Sequence, residues 1–226
     1  MIIYYIKLIY IHILYIMNYE AKDLPYNQFE KIGMNKREVL GMPTEDLKAL
    51  LTGRTTNLQA IKIKDQDVEQ RINVKLSVQR FADGSLNLLV HPIRKEIKND
   101  DKLNNAQLET LKKGETLITP KTSMNGEKEL YLFQLDRETN EIVKTRLNSI
   151  TVPRYLMDIQ LSPQNRSDLL QGKTIKLEDK LGKTHEVAID LIDPKGYSIK
   201  SQEQKQQLSL VHGAKEETKF PAGRKM

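Results

Sequence analysis

The side chains in this 226-residue chain that could do chemistry are 4 histidines, 30 carboxylates and 36 lysines and arginines. His12, His91, His185 and His212 stand in four unrelated contexts, each without a second ligand at metal-site spacing. The neighbouring carboxylates Asp65 and Asp67, and Glu178 and Asp179, fall at expected turns or strand ends, where Asp is ordinary turn chemistry. Binding a divalent cation there would need further oxygen ligands at fixed spacing, and none follows. There is no cysteine, so disulfides, thiolate metal sites and cysteine nucleophiles are excluded. No nucleophile elbow, phosphate-binding loop, dinucleotide fingerprint or zinc-protease motif occurs. Catalytic residues, metal ligands and a cofactor are therefore not expected, and the chain is read as a non-enzyme.

The basic residues carry more promise. The net charge is +6, which permits attraction to nucleic acid or to an acidic partner. No run of five or six like charges exists, so the charge is spread over the surface. Lys62, Lys64, Arg71, Lys75 and Arg80 fall on two successive strands and are expected to line one solvated sheet face able to track a phosphate backbone or meet a partner. Aromatic rings for base stacking are missing from that face.

The elements that must position these residues follow one recurring pattern. A short leucine-spaced helix runs into Gly, then a polar residue, then Thr, and a strand follows. The three junctions are Gly53-Arg-Thr55, Gly114-Glu-Thr116 and Gly172-Lys-Thr174. A glycine after a helix is a left-handed cap, whereas a phosphate cradle needs glycines ahead of one. Gly53, Gly114 and Gly172 are therefore expected to be structural. Ahead of the first copy, Leu24, Phe29 and Ile32 share a helical face, Asn35 caps a second helix closed by Gly41, and Pro43 opens a third. After Gly53 the period becomes two: Ile72, Val74, Leu76 and Val78 alternate with polar residues, Asp83-Gly84 turns the chain, and Leu86, Leu88 and Val90 return. The second copy repeats this with Leu117, then Tyr131, Phe133 and Leu135, then Ile142 to Leu147. The third does so with Ile175 and Leu177, then Val187 to Leu191, then Tyr197 and Ile199.

The expected fold is thus α+β: three tandem units, each a short helix followed by a three-stranded antiparallel meander, preceded by short N-terminal helices. The expected divisions are a leader at 1–17, a first region at 18–97, a second unit at 98–153, a third at 154–200 and a disordered basic tail at 201–226. The leader is rich in Ile and Tyr but short for a membrane span, and it lacks signal-peptide features. It reads as the product of a mis-assigned start, with translation beginning at Met17. A membrane partner is not expected, and a cytoplasmic location is.

Three stretches, Leu24-Pro-Tyr-Asn-Gln-Phe-Glu-Lys-Ile-Gly33, Leu50-Leu-Thr-Gly-Arg-Thr55 and Asp83 through Glu96, resemble an uncharacterised Bacteroidetes domain. Leu132 through Glu141 and Leu161 through Thr174 resemble a second one found beside the first. Both are domains of unknown function, in proteins commonly encoded on conjugative and mobilisable elements, near topoisomerase and transfer genes. The resemblance covers about 23–200 and carries no catalytic residues over. It implies an accessory or adaptor protein of a mobile genetic element, with DNA-processing or transfer machinery as the candidate partner. The alternatives are a sequence-nonspecific nucleic-acid binder and a small enzyme without a recognisable motif.

Overall fold

The computed structural model describes residues 19–65, 68–81, 83–122 and 126–201, with 64–65 and 68–69 described by their backbone alone. The leader, His12, Asp67, Asn125, His212 and all of the expected tail but Ser201 lie outside the described residues. Among the described residues the fold is α+β, with five α-helices and small antiparallel sheets. Three short helices come first: α1 (Tyr26–Lys31), α2 (Lys36–Leu40) and α3 (Thr44–Leu51). They pack on one face of a sheet of β1 (Gln59–Asp65), β2 (Val68–Arg80) and β3 (Leu86–Pro92), in that order. Next, α4 (Asn105–Lys112) precedes β4 (Leu117–Thr122), β5 (Lys128–Asp136) and β6 (Glu141–Arg146). Last, α5 (Pro163–Leu170) precedes a third sheet. Its strands are β9 (Ile175–Glu178), β10 (Thr184–Ile189) and β11 (Tyr197–Ser201). Among the described residues no helix is long and apolar enough to cross a membrane.

Local chemistry explains the helix ends. Asn35 and Asn104 each accept a bond from the backbone N–H three residues on, and Glu38 and Gln107 reach back to complete capping boxes. Gly53, Gly114 and Gly172 take φ of 67°, 83° and 73°. In each case the glycine N–H bonds to the carbonyl three residues back, and the next N–H reaches five back, as in Arg54 to Ala49 at 2.8 Å. That paired bonding closes the helix and turns the chain straight into its sheet.

One leucine is deeply buried at the same place in each of α3, α4 and α5. Leu50, Leu111 and Leu169 are 0%, 1% and 2% exposed, so this position anchors each helix to its sheet. In the first sheet Val74, Leu76 and Val78 point inward with Ile61, beneath Phe29, Val39 and Leu50. Alternation on β2 therefore sorts the sheet into an apolar face under the helices and a polar back face.

The chain forms two compact units. One runs through Thr151 and includes Asp190–Tyr197; the other comprises Val152–Ile189 and the chain from Ser198. The expected boundary at 97/98 falls inside the first unit, because side chains from the first and second sheets join there. Residues 153–158 contribute to a hairpin. Its strands β7 (Tyr155–Leu156) and β8 (Ile159–Gln160) are joined through Met157 and Asp158, both with positive φ.

Candidate functional site

Strand register decides the fate of the five expected basic residues. Lys62 lies opposite Arg71 across β1 and β2, and both are exposed. They line a hollow of about 260 Å³ with Gly33, Met34, Glu38 and Ala60. The Gly33 backbone lies against Lys62, where a Cβ at position 33 would come within 2.8 Å of the Lys62 Cβ. The Lys64 side chain lies outside the described residues.

Two expectations are corrected. Lys75 shares the back face of β2 with Arg71 but is 2% exposed. Its Nζ lies 2.8 Å from Asp136 and 2.7 Å from Glu138, at the end of β5 and in the turn beyond. Arg80 sits an odd number of residues from Arg71, so it leaves that face. It donates to the Gly84 carbonyl at 2.8 Å and lies 5.5 Å from the Tyr19 ring centroid. The solvated basic face is thus reduced to its Lys62–Arg71 end, because the β5–β6 turn covers the other end.

Under that turn runs a line of polar groups. His91 on β3 pairs directly with Lys75 on β2 and lies beside Ser77. His91 Nε2 is 2.8 Å from Ser77 Oγ, and Nδ1 is 2.9 Å from Glu141 Oε2 at the start of β6. A carboxylate can only accept, so Nδ1 carries the proton toward Glu141. The hydrogen bond from His91 lowers the Glu141 pKa, against the opposing effect of burial, and the charges of His91 and Arg94 add to the lowering. For Lys75, burial alone would lower the pKa, but hydrogen bonds to Asp136 and Glu138 together outweigh it and raise the value.

Residues 95–102 lie against β6 and complete the site. The backbone at Lys98 forms an isolated parallel β-bridge with Glu141, and Asn99 holds Leu103 through bonds to its N–H and C=O. Asp101 accepts from both Lys121 and Lys144. Burial would raise the Asp101 pKa, yet the two lysines together lower it. Arg94, Lys98, Asp100, Asp101, Glu141, Ile142 and Lys144 line a cleft of about 230 Å³. Asp136, Glu138 and Glu141 escape a reading of the sequence, since their partners stand some 50 or more positions away.

Acid should loosen this region first. Glu141 and Asp101 have folded pKa values below their unfolded ones, so their stabilisation is present above the ordinary carboxylate range. It is lost as pH falls through the folded values. Lys75, raised, contributes below its ordinary value near 10.5 and loses that contribution as pH rises past it. Denaturant midpoints measured across pH should therefore fall below about pH 4.5 and again at strongly alkaline pH. In Glu141→Gln/Asp101→Asn the acid fall should shrink; an unchanged acid limb would refute this assignment.

His185 and the Glu178–Asp179 pair stay local. His185 bonds to Asp179 at 2.8 Å, within the β9–β10 turn of the second unit. Among the described residues no group of three or more histidines or carboxylates is placed to hold a metal.

Residues 19–102 match a family described as proteins of unknown function (DUF4099). The match spans the three N-terminal helices, the first sheet and the segment that supplies Arg94, Lys98, Asp100 and Asp101. No curated protein and no solved structure matches the chain.

Proposed function

We propose that the chain is a non-enzymatic accessory or adaptor protein of a mobile genetic element, working in the cytoplasm and binding partner proteins through sheet edges and its remaining basic surface. The observation that carries this reading is the outer strand of the first sheet. β3 is an edge strand whose Val90 is 38% exposed, and Ile93 just beyond it is 53% exposed. Apolar side chains on an edge strand suit an added strand from a partner. The resemblance to paired Bacteroidetes domains of conjugative and mobilisable elements supplies the context, with transfer machinery as the candidate partner. On this reading the three helix-and-sheet segments are variations on one plan, each contributing edges.

The test is recovery of a partner from the native host. A protein retained by the unaltered chain and lost with Val90→Lys and Ile93→Lys supports the reading. Identical retention by both variants refutes it.

A sequence-nonspecific nucleic-acid binder is the second reading, favoured by the exposed Lys62 and Arg71 side by side. Its DNA affinity should fall steeply with salt, and an absence of binding at low salt removes it. The Ser77–His91–Glu141 line is the observation behind a third reading, a small enzyme. Ser77 is 7% exposed on the middle strand of its sheet, which disfavours attack on a substrate. Labelling of Ser77 by a fluorophosphonate would restore that reading.

A further inference from the structure

The cleft beside Glu141 is charged, and every charged side chain that lines it but one has an ion-pair partner. Lys98 pairs with Asp100 at 2.8 Å. Asp101 takes Lys121 and Lys144, and Glu141 takes His91. Arg94 is left over. Its Nε is buried without a hydrogen-bond partner, and no ion pair engages its guanidinium among the described residues. A buried donor without an acceptor calls for an explanation, and an absent ligand is one of the recognised ones.

Arg94 is also held in place from both sides. Its N–H bonds to the Thr139 carbonyl at 3.0 Å, and its carbonyl accepts from Asn140 Nδ2 at 2.7 Å. Asn140 adopts a left-handed φ of 53° in the same turn. The β5–β6 turn thus grips the Arg94 backbone while leaving its side chain at the cleft.

The geometry points to this cleft as a binding site for one carboxylate, supplied by an acidic segment of the partner protein, with Arg94 as its anchor. The planar guanidinium matches a carboxylate with two parallel hydrogen bonds. Lys98 and Lys144 line the same cleft and add attraction. Asp100, Asp101 and Glu141 line it too, and they set the ligand's charge. They repel a polyanion such as a nucleic-acid backbone but tolerate a single negative charge placed on the one lining cation without an ion pair. This inference rests on the adaptor reading and names the chemistry of its partner.

The test uses the full chain with acetyl-Gly-Glu-Gly-amide as the probe, following the Arg94 Nε–H resonance by NMR in the unaltered chain and the backbone amide resonances of Lys98 and Ile142, which line the cleft, in every variant. A saturable shift is expected with this peptide and none with its Gln counterpart. Arg94→Gln should weaken binding by about tenfold or more. Arg94→Lys should weaken it too, since it keeps the charge and loses the fork; the remaining resonances report that each variant is folded. Equal binding of the Gln peptide, or unchanged affinity in Arg94→Gln, overturns the proposal. So does tighter binding of inorganic phosphate or of a thymidine oligonucleotide at the same resonance. Acetate binding as tightly as the Glu peptide supports the carboxylate site while counting against a peptide partner. Failure of the cleft and failure of the adaptor reading are thereby told apart.

Discussion

Lys75→Ala should destabilise the first compact unit by roughly 3–5 kcal/mol, the range for removing one partner of a buried ion pair. Lys75 and Asp136 are each 2% exposed, with Nζ 2.8 Å from the carboxylate. Truncating the lysine leaves Asp136 charged, out of water, with a single remaining bond from the Glu138 N–H at 2.9 Å. The cost arises from that stranded charge, because the pair itself is weak once its own desolvation is counted. Two comparisons separate these contributions. Glu138→Gln should cost no more than about 1 kcal/mol, since the Glu138 side chain is well exposed and its pair with Lys75 is screened. Lys75→Met/Asp136→Leu removes both buried charges and should recover most of the loss. Urea unfolding at neutral pH measures all three. A loss below about 1 kcal/mol in Lys75→Ala would show that the buried charge is met by water instead.

Phe29→Ala should cost a similar 3–5 kcal/mol, by a different route. Phe29 is a fully buried aromatic side chain of α1, packed with Val39, Leu50 and Val78 among others. Three short helices share this core, and none is long enough to be stable by itself. A cavity at their meeting point therefore loosens all three. The backbone carbonyl of Phe29 accepts bonds from Ile32 and Met34, and truncation leaves these in place, so the loss reports packing. Phe29→Leu should cost less, because more of the volume stays filled. Hydrogen exchange at Val39, Ala49 and Leu50 should quicken in Phe29→Ala. Unchanged exchange there, with unchanged stability, would mean that the core can collapse around the missing ring.

Much of the local structure is legible in the residues because its causes are local. A helix cap needs a glycine or an asparagine within one turn, so Asn35 and the Gly-x-Thr junctions can be read directly. Alternation along β2 sets its inward face, since Val74, Leu76 and Val78 cannot all be hydrated while their neighbours are buried. Strand parity also separates Arg80 from Arg71, a distinction that grouping by composition overlooks. The candidate site is different. Lys75 carries the pattern of a solvated residue, and nothing in its neighbourhood marks Asp136 as its partner. Arg94, Asp101 and Glu141 lie in segments that look like a linker and a strand end.

The sequence by itself determined an α+β chain of short capped helices and small antiparallel sheets, without cysteine chemistry and without a recognisable catalytic motif. Those features depend on bonds and periodicities spanning a few residues. Tertiary structure alone decided that the β5–β6 turn covers the back of the first sheet, burying Lys75 and drawing His91 to Glu141. It alone left Arg94 as the lining cation without an ion pair in a charged cleft. The physical reason is that charge pairing acts through space. A lysine is a surface residue or a buried anchor according to which carboxylate the fold brings within about 3 Å, and that approach is invisible along the chain.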